Sequence, residues 1–124
     1  MSNKKKKILI LTNHSYMLYR FRKELIEELM KNNEVILSMP FVGHHEDFMN
    51  MGLYCIETKM ERRGINPFTD LSLMNFYKKM LKEEKPDLVI TYSIKPNIYG
   101  GLMCSKLKIP FYANVQGLGT AFQT

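Results

Sequence analysis

The sequence predicts an α/β domain built on a doubly wound parallel sheet of about five strands, in three αβα layers. Three observations predict it. Short, almost wholly apolar runs of strand length recur along the chain. Between them lie longer segments whose apolar residues return at helical spacing. In the best-marked stretch, Asp87–Phe122, one helix with short loops joins two apolar runs. That is a βαβ crossover, which requires parallel strands and a right-handed turn.

Taken in order, Lys7–Thr12 (KILILT) reads as a central strand buried on both faces. Asn13-His14-Ser15 turns the chain into a helix with Leu18, Phe21, Leu25, Ile26 and Leu29 on its apolar side. Arg20, Arg22, Lys23, Glu24, Glu27 and Glu28 lie opposite. Asn32-Asn33 ends this helix, and Glu34–Met39 is the second strand. Pro40–Gly43 is a turn, and His44–Met51 a short helix with Phe48 and Met51 inward and Gly52 as its cap. Leu53–Thr58 is the third strand, followed by the basic loop Lys59–Pro67, KMERRGINP.

Thr69 or Asp70 is expected to cap the next helix, whose apolar face is Leu73, Phe76, Tyr77, Met80 and Leu81. Lys85-Pro86-Asp87 leads to the fourth strand, Leu88–Thr91. Pro96 is expected at the first helical position that follows, where its missing N–H costs nothing. Asn97–Leu107 then turns Ile98, Leu102 and Met103 to one side, with Tyr99 and Leu107 at the border. Ile109-Pro110 stops this helix, and Phe111–Val115 is the fifth strand. No helix follows before Thr124, so residues 1–124 are expected to be one domain cut from something longer.

Composition narrows the classes of function. A chain of 124 residues, 45% hydrophobic and 24% charged, has the make-up of an ordinary globular domain. No run approaches the roughly 20 apolar residues of a membrane span. Lys4–Lys7 before Ile8–Leu11 does not make a signal peptide, because the apolar run is too short and no cleavage site follows. The net charge is +6, and Lys4–Lys7 supply four of those charges, as a solvated tail or as a contact for an anionic membrane surface. Nucleic acid is not an expected partner, since no basic stripe interleaves with aromatics. Cys55 and Cys104 read as buried free thiols of a reducing, cytoplasmic compartment. His44-His45-Glu46-Asp47 reads as a solvated helix start, because adjacent histidines point in different directions; no metal is expected.

Four loops carry candidate binding groups. Asn13-His14-Ser15 contains no glycine, which argues against a dinucleotide fingerprint; His14 either faces a ligand or caps the helix with Ser15. Arg62-Arg63-Gly64-Ile65-Asn66-Pro67 suits bidentate recognition of phosphate or carboxylate, and equally an ordinary basic surface loop. Lys95 and Asn97 flank Pro96 at a helix start, where free amides attract an anion. Gly100-Gly101 is read as close packing of that helix on the sheet. Gly117-Leu118-Gly119 offers backbone amides to a substrate oxygen, or is a simple turn. No nucleophile triad or carboxylate pair can be placed by spacing.

The segments ERRGINPFTDL, KPDLVITYSIKPNIYGGL and IPFYANVQGLGTAF resemble the amino-terminal domain of bacterial GT-B glycosyltransferases. They are most similar to the family 4-like branch that builds capsular polysaccharide, O-antigen and undecaprenyl-linked glycans. The resemblance covers essentially the whole chain and implies one Rossmann-like half of a GT-B fold, the acceptor side, facing a donor-binding domain across a cleft. It implies retaining transfer of a sugar from a nucleotide-sugar donor to an undecaprenyl-diphosphate-linked or saccharide acceptor, without a metal or other cofactor, in the cytoplasm or on the inner face of the plasma membrane. Arg63, Gly64, Asn66 and Pro67, Lys95, Pro96 and Asn97, and Gly117 and Gly119 match its motifs. Gln116 stands where many relatives carry a histidine, and His14-Ser15 where many are glycine-rich, so the catalytic residue is not assigned. His14, Arg63, Asn66, Lys95, Asn97, Gln116, Gly117 and Gly119 are the candidate acceptor-binding residues.

Two rivals were weighed. A non-catalytic flavodoxin-like or receiver domain needs an acidic cluster after strand one and an aspartate after strand three, which Asn13-His14-Ser15 and Thr58-Lys59 do not supply. A sugar-nucleotide epimerase fold is disfavoured by the missing glycine fingerprint.

Overall fold

Alternation of side chains along the first strand decides the architecture. In β1 (Lys6–Leu11), Ile8 and Ile10 face one way and Leu9 and Leu11 the other, and all four are buried. A strand covered on both faces is the middle of a three-layer sandwich. The computed structural model describes residues 6–13, 15–41, 43, 45–58 and 67–114. After β1 come α1 (Ser15–Asn32), β2 (Asn33–Met39), α2 (His45–Asn50), β3 (Tyr54–Glu57), α3 (Pro67–Glu84) and β4 (Leu88–Tyr92). A π-helical turn (Pro96–Gly100) runs into α4 (Gly101–Leu107), and β5 (Phe111–Asn114) closes the series. All neighbouring strands are parallel, in the order β3-β2-β1-β4-β5. The Rossmann-like, doubly wound sheet is as the sequence predicts.

Helices α1 and α2 cover one face, where Leu18, Ile26 and Phe48 pack on Ile8, Ile10, Val35, Leu37 and Met39. Helices α3 and α4 cover the other, where Leu73, Tyr77, Met80, Leu81 and Cys104 meet Leu9, Leu11, Ile36 and Val89. Strand order reverses between β1 and β4, so the chain leaves β1 for one face and β4 for the other. The two exits part at the carboxyl ends, the switch point beside which open α/β sheets hold their ligand crevice.

Several local expectations are corrected. Leu25 is 43% exposed, and the buried line of α1 runs through Leu18 and Ile26 with Leu29 and Met30 beside it. Ile98 and Leu102 are also exposed, and the buried side of that helix is Pro96, Gly100, Gly101 and Cys104. Here the π turn shifts the phase of the helix, and small residues let its backbone approach the sheet, so the aliphatic side faces outward. Asp70 lies inside the first turn of α3, which begins at Pro67, and is not its cap. Lys6 and Lys7 belong to β1 rather than to a tail. The Lys7 amide donates to Asp87 Oδ2 at 2.8 Å, and the Asp87 amide donates to the Lys7 carbonyl at 2.8 Å. Asn33 Nδ2 donates to the Leu29 carbonyl at 2.9 Å, satisfying the last turn of α1 as the strand begins. Gly52, with φ +99°, ends α2 region turns as expected of glycine. Among the described residues no helix is long and apolar enough to cross a membrane.

Candidate functional site

The carboxyl ends of β1, β4 and β5 share one edge. Leu11 pairs with Thr91, and Tyr92 pairs with Asn114. The strands that lead to the loops of His14, Lys95 and Gly117 therefore all deliver the chain to the same side of the sheet. His14, Arg63, Asn66, Gln116, Gly117 and Gly119 lie outside the described residues. Lys95 and Asn97 lie within them.

The corner after β4 is tightly held. Ser93 has φ +80°, in the left-handed region that non-glycine residues seldom occupy. Such a conformation costs of order 1–3 kcal/mol and persists only where the surroundings enforce it. The Ser93 carbonyl accepts the Asn97 amide at 2.9 Å, and Pro96 opens the π-helical turn with Lys95 before it, as the sequence predicts.

Asn97 spends its side chain on the fold. Its Oδ1 accepts from Thr91 Oγ1 at 2.6 Å, and its Nδ2 donates to the Asn114 carbonyl at 2.7 Å. Lys95 is 7% exposed and is not a free cation in the crevice. Its Nζ donates to Asp70 Oδ1 at 2.9 Å, and the Tyr99 hydroxyl donates to Asp70 Oδ2 at 3.0 Å. That hydrogen bond to the carboxylate, and then burial, hold the Tyr99 phenol above its ordinary range.

Polarity is concentrated at this end of the α3/α4 face. Ser38 and Thr58 hydroxyls are bonded to each other, and with Thr91, Asp70 and Lys95 they form a buried polar band. Further toward the amino ends the same face is Leu9, Ile36 and Val89. Gly100 and Gly101 let the helix sit on the sheet beside this band. A Cβ on Gly100 would stand 2.7 Å from Leu11 Cδ1, and one on Gly101 would stand 3.0 Å from Phe111 Cε2. The packing reading of the glycine pair holds.

Sequence reasoning missed Asp70 as a member of this site, reading it as a cap. The signal was present: Asp70, Leu73 and Tyr77 share the buried side of α3, and a carboxylate on an apolar face calls for a partner. Thr91 and Asn114 carry no comparable signal, because their roles depend on Asn97 reaching them across the sheet end.

A family model described as glycosyl transferase 4-like matches residues 7–124. The chain is similar, at 29% identity over 118 residues, to an N,N'-diacetylbacillosaminyl-diphospho-undecaprenol alpha-1,3-N-acetylgalactosaminyltransferase of Campylobacter jejuni subsp. jejuni serotype O:2. That match covers 94% of this chain and 31% of the relative. Among solved structures, the glycotransferase of kitacinnamycin superposes with a TM-score of 0.72 at 12% identity, over 89% of this chain and 30% of that one. The C-terminal domain of a Pyrococcus furiosus hydrogenase superposes with a TM-score of 0.69 at 15% identity, over 93% of this chain and 96% of that one. The two structural likenesses show the fold alone, which very different proteins share. The chain spans about a third of the length of the two transferases it matches.

Proposed function

The chain belongs to the glycosyl transferase 4-like family, and from that premise we propose that it is the acceptor-side domain of a retaining, GT-B sugar transferase of cell-surface polysaccharide synthesis. The donor is a nucleotide sugar, held mainly by a second domain across the cleft. The acceptor is a lipid-linked diphosphate sugar or a saccharide, and the similarity to a transferase whose name specifies a diphospho-undecaprenol acceptor favours the lipid-linked form.

In this reading the bond between the anomeric carbon and the diphosphate oxygen breaks. The acceptor hydroxyl oxygen bonds to that carbon on the same face, and its proton passes to the departing diphosphate. Backbone amides at helix starts and basic side chains stabilise the leaving charge, so the reaction needs no metal. Arg63 and Asn66, with His14, Gln116, Gly117 and Gly119, contact the acceptor. Lys95 and Asn97 shape the floor beneath it. The enzyme works in the cytoplasm, on or near the inner face of the plasma membrane.

What supports this reading is the family match over residues 7–124, together with the common edge of β1, β4 and β5 at the switch point, beside which Lys95 lies. The test is to incubate the full-length enzyme with a panel of nucleotide sugars and a polyprenyl-diphosphate-linked acceptor. Transfer with the donor's anomeric configuration preserved, unaffected by a chelator, is the expected result. Arg63→Ala is expected to raise the acceptor KM or lower turnover, and unchanged kinetics would remove Arg63 from the site. Absence of transfer from every donor would overturn the proposal.

A further inference from the structure

The geometry points to Asp70 and Lys95 as a positioning pair that locks the start of α3 to the turn after β4. It thereby fixes the start of α3 against the carboxyl end of β4. The inference rests on the transferase reading above, since it concerns how the acceptor side of that site is held.

Four observations carry it. Lys95 and Asp70 are 25 residues apart in sequence, meet at 2.9 Å, and have side chains 9% and 8% exposed respectively. Taking two charges out of water costs about as much as their attraction returns, so an apolar pair would stabilise the fold equally well. What an ion pair supplies and an apolar pair does not is a fixed geometry, here braced by the Tyr99 hydroxyl on the second carboxylate oxygen at 3.0 Å.

The location is the third observation. Asp70 stands in the first turn of α3, which begins directly after the Arg62–Asn66 motif. Lys95 stands two residues past Ser93, whose φ of +80° needs enforcement by its surroundings. The pair thus joins the first turn of α3 to the strained corner at the end of β4. Finally, Asn97 carries the tie onward to the Asn114 carbonyl on β5. With its charge matched by Asp70, Lys95 acts through position rather than as the cation that meets a diphosphate.

The test uses the full-length enzyme and its polyprenyl-diphosphate-linked acceptor, with Asp70→Asn, Lys95→Met, their double mutant and Asp70→Glu. The single variants are expected to raise the acceptor KM by about tenfold, to similar extents, with the donor KM within about twofold. The double mutant is expected to be no worse than either single, because both remove one interaction. Asp70→Glu, which keeps the charge, recovers much of the loss. A loss in Lys95→Met far beyond that in Asp70→Asn would make Lys95 a direct anion ligand and overturn the inference. Wild-type kinetics with only a lowered thermal midpoint would overturn it too, leaving a merely structural pair.

Amide hydrogen exchange in the first two turns of α3, measured well below the unfolding temperature, reads the clamp without activity. Asp70→Asn is expected to speed it about fivefold, and an unchanged rate counts against the clamp. If the wild-type enzyme transfers no sugar, the transferase reading fails while hydrogen exchange still judges the clamp. Should Asp70→Asn not fold, Tyr99→Phe removes one brace and is expected to move both readouts in the same direction by a smaller factor; no movement in either would overturn the inference.

Discussion

Asn97 bridges two strands from outside both of them: its Nδ2 donates to the carbonyl of Asn114, the last residue of β5, at 2.7 Å. Its Oδ1 meanwhile accepts the hydroxyl of Thr91 on β4 at 2.6 Å. The edge strand β5 is thus tied at its carboxyl end by a side chain from the turn that follows its neighbour.

Asn97→Ala removes both bonds and leaves the fully buried Thr91 hydroxyl without this partner. A loss of about 1–3 kcal/mol is expected, a fall of roughly 4–12 °C in thermal midpoint. Adding Thr91→Val, which deletes the orphaned hydroxyl, is expected to recover part of it. An unchanged midpoint in Asn97→Ala would show that water replaces the bridge at no cost.

The glycine pair predicts an order. In Gly100→Ala the new Cβ meets Leu11 Cδ1 at 2.7 Å in the fully buried core. Overpacking of about 1–3 kcal/mol there outweighs the gain of about 1 kcal/mol in helix propensity. In Gly101→Ala the clash is with the Phe111 ring, which is 39% exposed on the edge strand and has room to swing. Urea unfolding midpoints should therefore fall for Gly100→Ala and stay near wild type for Gly101→Ala. The reverse order would contradict the packing.

Burial pushes the thiols of Cys55 and Cys104 up to about 11 from an ordinary value near 9. Burial also raises the Tyr77 phenol. In each case the folded chain keeps its proton to higher pH than the unfolded chain does. The stability these groups contribute is complete below about pH 9 and is lost as pH rises through about 11. Urea midpoints are expected to fall between about pH 8 and about pH 10.5, less steeply in Cys104→Ala. Thiol labelling at about pH 8 should be at least about tenfold slower in the native protein than in urea. A midpoint that rises over this range would reverse the sign and sink the assignment.

How much of this was legible beforehand differs by level. The five strands, their parallel pairing and the convergence of three strand ends follow from local pattern: KILILT cannot be half-exposed, and a single helix between EVILSM and its predecessor leaves only a crossover. The faces of individual helices were less secure. Leu25 and Ile26 are equally apolar neighbours, yet one is 43% and the other 1% exposed. They stand about 100° apart on the helix, and only the angle at which α1 lies on the sheet chooses between them. The helix after β4 was misphased for a related reason, because a π turn adds a residue that no apolar spacing announces.

By itself the sequence determined the layer order, the direction of every strand and the motifs that place the chain in its family, because these depend on side-chain type at short range. The tertiary structure alone decided what Lys95 and Asn97 bond to. Lys95 and Asn97 look like ligand-binding groups when read in isolation, and the fold brings Asp70 to the first from 25 residues away and Asn114 to the second from 17. A charge or amide takes whichever partner the packed chain presents, and that partner is fixed only when the crossovers close.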